Sequence, residues 1–222
     1  MTDWYKIKRV LVWQNNVEKQ IYPKPPFTPT SDTIAYYPLK TDLKDYSWNN
    51  RDLSMASWSF TFSDWVCLVN TSALTNEISI PYNRTAYTVS GWCMWNVASG
   101  WDFKILVEIY DRVNYRPRFF LSNYNQVSGV CSYDNTWISY VASKWFHIVC
   151  VIENNVSKFY CDWTYIWSKS TTSSATTAYA RINSTGQYAA SWWISELIIE
   201  NKVRSAQEIS DYYNLTKSKY GL

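Results

Sequence analysis

Eight consecutive residues, Trp145-Phe146-His147-Ile148-Val149-Cys150-Val151-Ile152, are almost entirely apolar. A run of that length, bounded by polar residues, reads as a strand buried on both faces. Asn154-Asn155 follows, and then the β-rich segment Val156–Cys161. Paired asparagines between two such runs signal a tight hairpin, because Asn tolerates the positive φ that hairpin turns require. A chain built around this unit needs a covering layer on each side of one sheet.

Further strand signals recur along the chain, separated by polar turns: residues 34–39, 87–95, 103–110, 118–121 and 193–200. Many short strands at such spacing predict an all-β, two-sheet antiparallel jelly-roll sandwich. All-β sandwiches reach 222 residues as single units. One short C-terminal helix is expected. Ser205-Ala206-Gln207-Glu208 forms a capping box, and Ile209, Tyr212 and Tyr213 follow at roughly helical spacing, with Gly221 just past the end. Upstream, residues 4–22 read as a leader of two short strands around Asn15-Asn16. Pro23, Pro25, Pro26 and Pro29 then mark an extended, semi-rigid linker. The expected division is therefore 1–22 leader, 23–31 linker and 32–222 sandwich.

Composition narrows the function classes. With 47% hydrophobic and 18% charged residues, the chain is globular. A net charge of +3 and the lack of any Lys/Arg run argue against nucleic acid as a partner. No apolar run approaches the ~18 residues of a membrane helix, and Val10-Leu11-Val12-Trp13 is too short for a signal-peptide core. No membrane insertion and no Sec export are therefore expected. The five cysteines, Cys67, Cys93, Cys131, Cys150 and Cys161, include no CxxC pair and are expected as buried free thiols.

Several segments, in order, resemble a known family. Residues 34–39 with Leu43-Lys44-Asp45-Tyr46-Ser47 are similar to the opening of laminin-G-like jelly rolls. Tyr87-Thr88-Val89-Ser90-Gly91-Trp92 is similar to a following strand of that fold. Residues 144–162 resemble its "W-H-V … l-Y-v-D-G" hairpin, and Ile194-Ser195-Glu196-Leu197 through Ile209 resemble its closing strand and helix. The resemblance spans about residues 33–221 and implies the concanavalin A-like lectin/glucanase superfamily. It implies a non-catalytic module recognising glycan or protein at a cell surface, with oligomerisation open. The leader, residues 10–22, resembles N-terminal segments of phage tail and other virion proteins. That implies a virion or extracellular location. A bacterial surface lectin or adhesin is the alternative from another class, and a laminarinase-type glycoside hydrolase is a third.

The sequence departs from the family pattern at its glycines. Ordinary usage would give about 15 Gly; there are 5, beside 14 Trp. Trp48, Trp58, Trp65, Trp163, Trp167, Trp192-Trp193 and, in the leader, Trp13 fall where turns favour Gly. A bulky residue held at positive φ costs about 1–2 kcal/mol. Two explanations compete. Either these turns use shapes that Trp adopts and the rings bind sugars, or a codon read as Gly in the source genome is rendered here as Trp. Trp92, Trp137 and Trp145 fit strand positions.

Candidate site residues follow from the same reading. Trp101, Tyr115, Tyr133 and Trp137 sit in or beside loops and are candidates for stacking on sugar rings; the plainer reading is hydrophobic packing. Laminarinase-type enzymes carry E-x-D-x-x-E on one strand, where alternate side chains share a face. Here Glu196-Leu197-Ile198-Ile199-Glu200 lacks the middle Asp, so the pair is expected as exposed carboxylates without catalysis. His147 lies where the family often has His and is expected as a core residue. Some relatives bind calcium. Asp64, Asp102, Asp111 and Asp162 lie near loops, but without calcium-loop spacing; no cofactor is expected. The recoding explanation predicts that the gene carries UGA at positions 48, 65 and 163; UGG codons there would overturn it.

Overall fold

The computed structural model describes residues 11–14, 17–20, 27–57, 60–63, 66–69, 74–82, 85–95, 103–110, 118–122, 126–130, 138–139, 144–170, 176–182 and 192–222. Strands β1 (Leu11–Gln14) and β2 (Val17–Gln20) form the leader hairpin. Then come β3 (Thr33–Tyr37), β4 (Met55–Ser57), β5 (Phe60–Ser63), β6 (Val66–Val69), β7 (Leu74–Thr75), β8 (Ile78–Pro81) and β9 (Ala86–Trp95). The middle of the chain supplies β10 (Phe103–Tyr110), β11 (Arg118–Ser122), β12 (Gln126–Val130) and β13 (Ile138–Ser139). The last strands are β14 (Trp145–Glu153), β15 (Val156–Cys161), β16 (Thr164–Ser170), β17 (Thr177–Ile182) and β18 (Trp192–Glu200). Helix α1 (Ala206–Thr216) and a 3-10 turn (Lys217–Tyr220) close the chain.

Two antiparallel sheets make a jelly-roll sandwich. The larger has the order β16-β15-β14-β9-β18-β6-β5, with β3 also paired to β18; the smaller is β13-β12-β11-β10-β17-β8. Between them lies the main core, to which β14 contributes Phe146, Ile148, Cys150 and Ile152. The alternate residues Val149 and Val151 pack outward with Tyr160 and Ile209 of α1. The apolar run of β14 is thus buried on both sides, by the small sheet on one face and the helix on the other. Cys67, Cys93, Cys150 and Cys161 are buried free thiols, as expected; Cys131 lies outside the described residues. Among the described residues no helix is long and apolar enough to cross a membrane.

Helix α1 starts as its sequence dictates. Ser205 accepts from the Glu208 N–H at 3.1 Å, and Glu208 accepts from the Ser205 N–H at 2.8 Å. Gly221, at φ +76°, ends the 3-10 turn. Upstream of β3, in the stretch expected as linker, Phe27 is buried edge-on to Tyr36 at 4.9 Å, with the Arg204 guanidinium 5.5 Å above its ring.

The expected hairpin turn at Asn154-Asn155 has φ +49° and +65° at its two central residues, and the turn between β15 and β16 has +47° and +70° at Asp162 and Trp163. Among the described residues Trp163 is the one tryptophan so placed; Trp48, Trp167 and Trp193 adopt ordinary backbone angles. Strain at every glycine-like position is therefore corrected to strain at one of those described. Trp58 and Trp65 lie outside the described residues. Trp167 stacks at 5.9 Å on Phe159, whereas Trp48 is 71% exposed. The Trp163 ring is engaged as well, edge-on to Tyr213 at 4.8 Å with Lys217 at 5.9 Å.

Backbone relief at position 163 therefore opposes the loss of a ring contact worth about 0.5–1.5 kcal/mol. Comparing two truncations separates the terms, since both lose the ring and only Gly relieves φ. Trp163→Gly is expected to be about 1–2 kcal/mol more stable than Trp163→Ala in denaturant unfolding. Equal stabilities would show that position 163 is unstrained.

Candidate functional site

The outer face of the large sheet carries most of the unusual chemistry among the described residues. Trp92, at the centre of β9, is fully buried there. Its ring stacks on Tyr220 at 4.2 Å and Tyr213 at 5.5 Å, and its Nε1 donates to Thr216 Oγ1 at 3.2 Å. Next to it, β18 bulges: Ser195 faces Trp92 while Ile198 faces Ser90, so β18 holds one residue more than β9. Glu196, in that bulge, has φ +56° and is fully buried.

The carboxylate of Glu196 accepts from Tyr212 Oη at 2.9 Å and from Lys219 Nζ at 2.6 Å. Burial pulls the Lys219 ammonium below its ordinary pKa, and Glu196 opposes that pull. Glu200, also buried, pairs with Arg204. The expectation of exposed carboxylates is thus corrected: both acids lie beneath α1 and are neutralised by cations of the C-terminal segment. The misreading has a physical cause. A bare strand face is solvated, and only the docked helix makes these positions interior.

Beside this layer lies an open groove of about 300 Å³, lined by Ser63, Val66, Met94, Trp145, Trp193, Lys219 and Tyr220. Register explains its floor. Trp145 pairs with Met94, Met94 with Trp193, and Trp193 with Leu68, so these four form a row across β14, β9, β18 and β6. Two strand spacings separate the tryptophans, about 10 Å. Both are half-buried, and Met94 lies between them. Tyr220 and Lys219 close one wall, with the Tyr220 ring 4.8 Å from that of Trp145. Two indoles about a flexible apolar floor, with a hydroxyl, a phenol and an ammonium at the rim, suit a ring-shaped ligand with apolar faces and polar edges.

Trp101, Tyr115, Tyr133 and Trp137 lie outside the described residues, as do Asp64, Asp102 and Asp111. Asp162 is half-buried; its Oδ1 accepts from the His147 backbone N–H at 2.8 Å, and burial raises its carboxyl. Among the described residues no cluster of His, Cys, Asp or Glu could hold a metal. The groove was missed in the sequence because Trp145 and Trp193 stand on strands, and only the pairing register brings them together.

No family model matches the sequence, and no curated protein matches it either. Solved structures do. The chain is similar to the binding domain of botulinum neurotoxin serotype D, with a TM-score of 0.61 and 14% identity over 82% of this chain and 51% of that one. It is similar to Trypanosoma rangeli sialidase, at 0.66 and 10%, over 86% of this chain and 33% of that one. It is also similar to domain 4 of AbnA, a GH43 extracellular arabinanase from Geobacillus stearothermophilus, in complex with arabinotriose. That match has a TM-score of 0.61 and 16% identity, over 82% of this chain and 98% of that one. The chain thus spans about half of the toxin domain, a third of the sialidase and nearly all of the arabinanase domain. At these identities the likeness shows the β-sandwich fold.

His147 is buried between Trp92 and Tyr212, at 5.1 and 5.3 Å, and neither ring nitrogen has a hydrogen-bond partner. Burial, aided by Arg204, lowers its pKa from 6.5 to about 3. The unfolded chain therefore binds a proton below pH 6.5 that the folded one refuses until about pH 3. Stability is full above pH 6.5 and falls as pH drops toward 3. Between pH 7.5 and 5 the loss is expected to be about 2 kcal/mol. Denaturant melts at both pH values should show it, and His147→Phe should remove most of it. An unchanged pH dependence in the variant would place the acid sensitivity elsewhere.

Proposed function

We propose that this chain is a non-catalytic recognition module whose groove binds a glycan presented at a cell surface. The observation that carries the reading is the row Trp145–Met94–Trp193, an apolar floor with aromatic sides and a polar rim. Apolar ring faces of a sugar pack against indoles while its hydroxyls meet the rim. The arabinanase domain that matches the chain over nearly its own full length holds arabinotriose, which favours glycan over protein as the ligand. The absence of turnover in this proposal is supported by Glu196 and Glu200. Both are buried and ion-paired, which leaves no free acid and base on that strand.

The setting we propose is an attachment or decoration module of a virion, an extension that rests on the leader segment 10–22; a surface lectin or adhesin would use the same groove. The recoding explanation also stands as a proposal. Trp163, at φ +70° in the second position of an Asp-X hairpin turn, favours it. The two proposals exclude each other at Trp193, where the groove requires an indole and recoding would put Gly.

Titration with a panel of neutral oligosaccharides, read by tryptophan fluorescence, is expected to show saturable binding without release of reducing ends. Trp145→Ala and Trp193→Ala should each weaken it ten-fold or more, about 1.4 kcal/mol, while Trp48→Ala leaves it unchanged. Binding unaffected by both groove variants, or release of reducing sugar, would overturn the reading.

A further inference from the structure

A second groove, of about 370 Å³, opens on the same outer face. Its lining includes Pro29, Tyr36, Lys40, Asp42 and Tyr46. Register fixes its relation to the first. Tyr36 pairs with Ile198 of β18, five residues beyond Trp193 on the strand that floors the first groove. At about 3.3 Å per residue, less the bulge, the Trp193 and Tyr36 positions lie about 13 Å apart along β18. Between them sits the bulge. Glu196 acts electrostatically on Tyr36 of the second groove and bonds Lys219 of the first. Lys219 in turn feels the charge of Lys40 across the divide. The two grooves are neighbours joined by the Glu196–Lys219 pair.

Their chemistry matches. Each offers an exposed or half-exposed aromatic ring: Trp145 and Trp193 in the first, Tyr46, 52% exposed, in the second. Each also balances its charges. Lys219 is matched by Glu196, while Lys40 and Asp42 share the second groove. The Asp42 carboxylate accepts from Tyr46 Oη at 3.2 Å and from the Lys44 N–H at 3.1 Å. Neither groove presents a surplus charge for a charged ligand to meet.

We infer that the two grooves form one extended site for an uncharged oligosaccharide chain, running from Trp193 over Lys219, which covers the buried Glu196, to Tyr46. A single sugar ring cannot bridge that separation; a short oligosaccharide can. The inference rests on the glycan reading above and adds to it the ligand's length, direction and charge.

The test is a length series of neutral gluco- and arabino-oligosaccharides, from one to six residues, titrated against the intact chain and its Tyr46→Ala and Trp193→Ala variants. Tyr46 is largely exposed, so its variant is expected to fold. Affinity should climb at least ten-fold as the ligand grows long enough to reach both grooves and then level off. Tyr46→Ala should remove that climb while leaving the shortest binding ligands unaffected, whereas Trp193→Ala should weaken every length. Affinities that are flat with length and indifferent to Tyr46→Ala would overturn the extended site and leave the single-groove reading standing. Tighter, salt-sensitive binding of uronate oligosaccharides would overturn the uncharged ligand. Failure of every length to bind would overturn the glycan reading and this inference with it.

Discussion

The outer face of the large sheet has to be covered, because β14 is apolar on both of its faces. In a sandwich the second sheet covers only one of them. The C-terminal segment supplies the other cover, and its attachment converges on Trp92. That one indole stacks on two tyrosines of the segment and bonds a threonine at the end of α1. Removing a buried aromatic of this kind costs about 3–5 kcal/mol, a large part of a domain's margin of 5–15 kcal/mol. Once the helix is down, everything beneath it becomes interior. Glu196, Glu200 and His147 are there because β14 and β18 put them on that face. Buried ion pairs give little net stability against apolar packing. Their physical contribution is position: Glu196–Lys219 and Glu200–Arg204 pin opposite ends of the segment to one strand.

The parts of this arrangement that were legible in the sequence carry strong local signals. The β14–β15 hairpin declares itself by a continuous apolar run and paired asparagines, and α1 by its capping box. The long strands β9 and β18 are also plain. Strands β4 to β8 and β13, of two to four residues, were not read, nor were β12, β16 and β17, of five to seven. A strand of two to four residues contains too few alternations for a period of two to emerge, and its pairing is decided by partners distant in the chain. The bulge shows the same limit. Ser195-Glu196 places two polar residues side by side in an apolar strand, which breaks the alternation. That break was the available signal. Its consequence depended on Tyr212 and Lys219, which arrive only when the helix docks. The candidate groove was hidden for a related reason. Trp145 and Trp193 are far apart in sequence, and both stand on strands rather than in the loops where sugar-stacking rings are expected.

The tryptophans divide once their surroundings are known. Trp92 is interior, Trp145 and Trp193 border a groove, Trp167 packs on a neighbouring ring, and Trp48 projects into solvent. Trp163 alone among those described occupies backbone that favours glycine, and it lies against Tyr213. Tryptophan abundance is therefore no single phenomenon. The turn at 163 reflects the demands of a two-residue hairpin, whereas the row at 145 and 193 reflects the cross-strand geometry of a sheet face.

The strain at Glu196 ties the fold to the groove. A non-glycine residue at positive φ in a core strand persists only where its surroundings over-determine it. Here the bulge adds an outward position to β18, so that Ser195 and Glu196 both face the C-terminal segment. Ser195 receives Tyr220 Oη at 3.0 Å, and Glu196 receives Lys219. Tyr220 and Lys219 are the residues that wall the groove. A regular strand would offer one polar side chain at this point and could hold one of the two. The bulge holds both, and it sets the wall at a fixed distance from the tryptophan row. The segment that completes the core is thus also the segment that shapes the site, so the site's geometry is as stable as the docking of α1.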